Sequence, residues 1–156
     1  MRFLALTFLI FLAFIDYLSK NLVKEYIGNN FYQLNEYISI QIFYNRGIAF
    51  SMFDSASPLV NNTLFATIGL IILFLLYIFI KDFNKFYKME LIGYILIIGG
   101  AIGNFIDRII NGSVLDFIIL NYNQIYFPAV FNIADIMISL GAFLIITNYM
   151  FRPLND

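Results

Sequence analysis

The chain has no cysteine and no histidine among its 156 residues. Without cysteine there is no disulfide, no thiolate nucleophile, no Cys-ligated zinc and no lipid-modified thiol. Without histidine a Ser-His-Asp triad and His-ligated metals are excluded. Charge is scarce too: Asp, Glu, Lys and Arg together make up 12% of the chain, about half the share usual in a soluble domain. That is too little to coat a globular surface. A net charge of −1 offers no basic field for nucleic acid. Catalysis, if present, must rest on Asp, Glu, Lys, Ser, Thr, Tyr or Arg.

What is abundant is hydrocarbon. Hydrophobic residues make up 62% of the chain, and the mean hydropathy is +0.84. A bilayer core of about 30 Å needs a helix of roughly 20 apolar residues. Four segments meet that need: 3–23, 58–80, 91–110 and 130–151. Pro58 suits a first helical turn, where its missing N–H costs nothing, and Pro153 would stop the fourth span. The first segment resembles a signal peptide in its Arg2 and the run from Phe3 to Ile15. No small-x-small cleavage site follows, however, so a retained helix is expected. The expected class is an all-α membrane protein of four transmembrane helices with a small extracytoplasmic β-sheet, forming a single domain over 1–156.

Four spans put both termini on one side. Arg2, Lys81, Lys85, Lys88 and Arg152 lie there, against Lys20, Lys24, Arg46 and Arg108 on the other. The counts are close, but three of the latter four belong to polar clusters described below, so loop bias favours cytoplasmic termini. In the outer segment, Ile38-Ser39-Ile40-Gln41-Ile42 alternates as a half-buried strand does. Asn121 to Phe127 is its expected partner. Tyr26, Tyr32, Tyr37 and Tyr44 supply amphipathic rings for that interface.

The informative residues are polar ones where lipid should be, since a charge at mid-bilayer costs roughly 2.5–3.5 kcal/mol. Asp16 and Lys20 share one helix face, either as an interfacial ion pair with Lys20 snorkelling or as the mouth of a site. Asn104, Asp107 and Arg108 share a face of the third span, where Asp107 and Arg108 are expected to neutralise one another. Gly99 and Gly103, on nearly the same stripe, admit a neighbouring helix. Asn132, Asp135 and Ser139 share a face of the fourth. Asp135 has no cation within one turn, so it is either protonated or coupled to something distant in sequence.

Asp116 lies just beyond the third span between apolar neighbours, which hold it at the membrane surface. Two carboxylates at one depth suggest an aspartic-protease dyad, one acting as base on a water and the other giving up a proton. Sharing a site, they would share a proton. By spacing alone Asp107 could equally be one of the pair. In the outer loop, Asn45-Arg46-Gly47-Ile48-Ala49-Phe50-Ser51 reads as a turn, with Gly47 allowing a tight or left-handed bend. Two other readings stand beside the dyad. One is a small transporter or proton-conducting bundle lined by inward polar residues; the other is a serine-lysine peptidase using Ser19 or Ser51 with Lys20.

Five blocks, in order, resemble those of bacterial lipoprotein signal peptidases (signal peptidase II): Asp16-Tyr17-Leu18-Ser19-Lys20; Asn45 to Ser51; Gly103-Asn104-Phe105-Ile106-Asp107-Arg108; Val114-Leu115-Asp116-Phe117; and Phe131-Asn132-Ile133-Ala134-Asp135. The resemblance spans the whole chain. It implies an aspartic endopeptidase of the bacterial inner membrane that needs no metal or other cofactor. It also implies cleavage of diacylglyceryl-modified prolipoproteins just before the lipidated cysteine, at the outer face. Asp116 and Asp135 would then be catalytic. Asn45, Asn104, Arg108 and Asn132 match positions that line or brace the pocket, Gly47 and Asp107 fall in the same blocks, and Asp16 and Lys20 match a further recurrent pair. Lipidated precursors and membrane lipids are the partners implied, and a monomer is favoured because one chain carries every block.

Overall fold

The computed structural model describes residues 1–47, 58–122 and 125–151. Ile48 to Ser51 of the outer-loop block, Arg152 and Pro153 lie outside them. The elements run α1 (Arg2–Tyr26), β1 (Tyr32–Gln33), β2 (Ile38–Asn45), α2 (Pro58–Asp82), α3 (Lys88–Asn111), β3 (Val114–Tyr122), β4 (Ile125–Phe131) and α4 (Ile133–Phe151). The four helices are long and apolar enough to cross a membrane. Their outer surfaces are rich in exposed Phe, Leu and Ile, as hydrocarbon rather than water requires.

The helices reach or exceed the expected spans at every end but one. Span four was expected to begin at Val130, yet Val130 and Phe131 close β4, and α4 starts at Ile133. The sheet is also larger than its sequence signature. Its four antiparallel strands lie in the order β1-β2-β3-β4. The partner of β2 is β3, with Ser39 opposite Ile119 and Asn45 opposite Val114. Asn121 to Phe127, the expected partner strand, instead covers the end of β3 and the start of β4. Val114 to Phe117 is buried on both faces, so apolar side chains fall on both and the stretch lacks the alternation that marks a half-covered strand.

The sheet sits where α1 and α3 end and α4 begins. The chain reverses from α3 into β3 at Gly112, whose φ of +67° is open to glycine without strain and whose N–H caps the Arg108 carbonyl. Within the bundle α3 is central, packing on α1, α2 and α4. Lipid tails are as apolar as leucine, so helices are held by close van der Waals fit. Small residues make that fit. Gly99 meets Leu12 of α1, and Gly103 meets Asp16, as their shared stripe foretold. On the opposite side, Gly93 and Gly141 bring the backbones of α3 and α4 together, so that a Cβ on Gly141 would stand 2.6 Å from the Gly93 carbonyl oxygen. Away from the sheet, Leu9, Leu12, Phe79, Ile98 and Met137 form the apolar core.

Gly141→Val would force backbone against backbone, which no rotamer change relieves. It is expected to destabilise the bundle by about 1–3 kcal/mol, read as a lower thermal unfolding midpoint in detergent, whereas Ala142→Val should fall well short of that.

Candidate active site

The acidic and amide side chains near the end of the bundle that carries the sheet are joined by hydrogen bonds, and the first anchor is a backbone one. Asn132 immediately precedes α4. The Asp135 N–H donates to Asn132 Oδ1 at 3.0 Å, and the Asn132 N–H donates back to Asp135 Oδ2 at 3.1 Å. This is a reciprocal cap of the helix start. It places Asn132 outside the fourth helix, not within it as its spacing to Asp135 and Ser139 suggested.

The cap also orients a side chain. A backbone N–H can only donate, so the atom of Asn132 facing it is the amide oxygen, and Nδ2 points the other way. There Nδ2 donates to Asp116 Oδ1 at 2.6 Å and to Asn104 Oδ1 at 3.0 Å. Asn132 is fully buried, and it holds both acidic residues: one by its side-chain nitrogen, the other by its main-chain nitrogen.

Asp116 lies on β3. Asn45 on β2 is opposite Val114, which makes Asn45 and Asp116 diagonal neighbours on one face of the antiparallel pair. Asn45 Nδ2 donates to Asp116 Oδ2 at 3.0 Å, and Asn45 Oδ1 accepts the Gly47 N–H at 2.9 Å in a tight turn. Asp135 finds its distant partner on α3, where Asn104 Nδ2 donates to its Oδ1 at 2.8 Å. Asp116, Asp135, Asn45, Asn104 and Arg108 all line one cavity of about 490 Å³, with Ile68, Ala101 and Ile138 extending it toward the bundle interior and Ser139 also on its wall.

The remaining candidates surround this cavity. Asp16 and Lys20 do form an ion pair, at 2.6 Å. They are 0% and 3% exposed, so Lys20 does not snorkel to the interface. It turns inward, to Asp107 Oδ2 at 2.9 Å and Asn104 Oδ1 at 2.9 Å. Asp16 Oδ1 accepts the Ala134 N–H at 2.9 Å, a free donor of the first turn of α4. Asp107 and Arg108 do not neutralise each other by direct contact. Asp107 pairs with Lys20 and accepts the Leu115 N–H at 3.2 Å. Arg108 donates to the Gly47 carbonyl at 2.9 Å and to the Asn104 carbonyl at 3.2 Å, and lies over the Phe65 ring.

Sequence reasoning overlooked Phe65, under Arg108, and Ile68, on the cavity wall, for nothing in the apolar run of α2 distinguishes residues that meet the site from those that meet lipid. Ser19, the described half of the serine-lysine alternatives, donates to the Asp16 carbonyl at 2.7 Å. The ammonium of Lys20 is meanwhile engaged by three other acceptors. Ser51 lies outside the described residues.

Comparison with known proteins places the chain in a family. The family model for signal peptidase (SPase) II matches residues 8–151. The chain belongs to the signal peptidase II family. It is 36% identical over 148 residues to the lipoprotein signal peptidase of Pseudoalteromonas atlantica, covering 92% of this chain and 88% of that one. Against the lipoprotein signal peptidase of Fusobacterium nucleatum it is 36% identical over 142 residues, covering 90% and 82%. A solved bacterial membrane enzyme shares the fold, with a TM-score of 0.76 over 97% of this chain and 93% of that one at 24% identity. The protein is therefore a multi-pass membrane peptidase.

Burial pushes the Asp116 carboxyl up to about 6, and the nearby Asp135 charge pushes the same way against the bonds from Asn45 and Asn132. Asp116 is thus protonated below that pH and ionised above it. Asn45→Ala removes a donor that favours the ionised form, so the Asp116 midpoint is expected to move higher in a 13C-NMR or infrared titration of the carboxyl. An unchanged or lower midpoint would contradict this account of the site.

Proposed function

We propose that this signal peptidase II family member is an aspartic endopeptidase. It removes the signal peptide from diacylglyceryl-modified prolipoproteins, cutting just before the lipidated cysteine, with Asp116 and Asp135 as the catalytic pair. The single observation that carries the reading is that both carboxyls open onto one cavity and are held by the same residue, Asn132. Asp107, the other candidate for the pair, is tied up by Lys20 and the Leu115 N–H.

The proposed reaction needs one water and one proton shared by the pair. Asp135, ionised, takes a proton as the water attacks the scissile carbonyl carbon. Asp116, protonated, gives its proton to the carbonyl oxygen. The tetrahedral diol then collapses: Asp135 passes its proton to the departing nitrogen, Asp116 recovers one from a hydroxyl, and the C–N bond breaks. Asn45, Asn104, Arg108 and Asn132 hold the pair or line the cavity, Gly47 fixes Asn45 and Arg108 through its backbone, and Asp16, Lys20 and Asp107 brace the site from behind.

The cavity lies at the sheet-bearing end of the bundle, the depth at which a lipid-anchored cleavage site would be presented. Its extension along Ile68, Ala101 and Ile138 offers an apolar wall for hydrocarbon. We place that end at the outer face of the bacterial inner membrane and both termini in the cytoplasm, in one integral-membrane unit acting as a monomer. The alternative of a transporter has nothing comparable in its favour, since these polar groups gather at one end of the helices instead of lining a path through them.

Asp116→Asn and Asp135→Asn should each lower kcat for a lipidated precursor by about 10²–10⁴-fold while the protein still folds and inserts; near-full activity in either variant refutes the pair. For the unmodified enzyme, kcat/KM should fall as pH rises through about 6, where Asp116 loses the proton it must donate.

A further inference from the structure

We propose that Lys20 is a positioning residue that sets the polarity of the dyad by fixing which way the Asn104 amide faces. Lys20 does not line the main cavity. It lines a separate one of about 100 Å³, between the ends of α1 and α3, with Tyr17, Asn21 and Lys24. It therefore reaches substrate only through another residue.

The logic is one of donors and acceptors. An ammonium has three hydrogens to give and cannot accept. Those of Lys20 meet Asp16 Oδ2 at 2.6 Å, Asn104 Oδ1 at 2.9 Å and Asp107 Oδ2 at 2.9 Å. Any atom of Asn104 facing Lys20 must be its oxygen, and the Asn132 Nδ2 that meets the same oxygen requires the same orientation. Asn104 Nδ2 is thereby turned to Asp135 Oδ1 at 2.8 Å.

The reversed amide would set its oxygen against the Asp135 carboxylate, two acceptors face to face, an arrangement satisfied only by a protonated Asp135. Lys20, acting with Asn132 Nδ2 on the same oxygen, thus holds Asp135 as the ionised, proton-accepting member and leaves the shared proton to Asp116. The bond is charge-assisted, and it polarises the amide so that the N–H presented to Asp135 is a stronger donor. This inference rests on the assignment of Asp116 and Asp135 as the catalytic pair.

The test is a double-mutant cycle on kcat per folded enzyme, with Asp135→Asn measured alongside. Lys20→Met is expected to lower kcat by roughly 10- to 100-fold, the worth of one hydrogen bond to a charged group, with KM unchanged within about twofold. Asn104→Ala should cost a similar factor, and adding Lys20→Met to it should cost no more than about twofold further.

Lys20→Met leaves two buried carboxylates without a counter-ion, so a second variant guards against a failure to insert. The cycle is then run with the neutral triple variant Asp16→Asn, Lys20→Met and Asp107→Asn, whose buried charges are removed together. Wild-type kcat in Asn104→Ala, in Lys20→Met or in the triple variant overturns the proposal. So do independent, multiplying losses from Lys20 and Asn104, which indicate mere scaffolding. If these results appear while Asp135→Asn is inactive, only the role of Lys20 fails. If Asp135→Asn is active, the catalytic pair itself is wrong.

Discussion

A carboxylate withdrawn from water must be met by donors or give up its charge, and that constraint organises this protein. Asp16, Asp107 and Asp116 are all buried at one end of a bundle whose surface is made for hydrocarbon. No helix can satisfy them alone, because an α-helix has already spent its internal N–H groups on its own carbonyls. The donors come from the Lys20 ammonium, helix starts, strand neighbours and amide side chains. Each carboxylate is consequently a joint: Asp16 ties α1 to the first turn of α4, Asp107 ties α3 to α1 and β3, and Asp116 ties β3 to β2 and to the start of α4.

Amides are the working parts of this network. Asn45, Asn104 and Asn132 each carry an acceptor and donors on one rigid group, so each can take a bond on one side and give one on the other. The acceptor side is spoken for by groups that only donate: the Gly47 N–H for Asn45, the Asp135 N–H for Asn132, and Lys20 for Asn104. The donor side of all three is then presented to Asp116 and Asp135. Donors from fixed directions hold the acids of the cavity in place, and the close helix contacts at Gly93, Gly99, Gly103 and Gly141 hold the elements that carry them.

Much of this could be read from the order of residues. Four apolar stretches, the shared face of Asn104 and Asp107, the stripe of Gly99 and Gly103, and the pairing of Asp16 with Lys20 follow from helical periodicity, a local property. The strand Ile38 to Ile42 was visible because its two faces differ. β3 was not, since Val114 to Phe117 is covered on both sides and its pattern does not alternate. The start of α4 was misplaced by three residues because Val130 and Phe131 are as apolar as a helix in lipid, and only the pairing of β4 with β3 reveals them as strand.

The sequence by itself determined that the chain lives in a bilayer, how many times it can cross, and that a handful of polar residues must cluster to survive there, because hydrocarbon length and desolvation cost depend on composition and local period alone. Which polar residue meets which was decided only by the tertiary structure. Lys20 turns inward to Asn104 and Asp107 and away from the surface, Arg108 leaves its neighbour for the Gly47 carbonyl, and a featureless helix supplies Ile68 to the cavity wall and the Phe65 ring to Arg108. Hydrogen bonds are directional and short, so such choices depend on where separate elements are brought within 3 Å or so of each other, and no spacing along one helix encodes that.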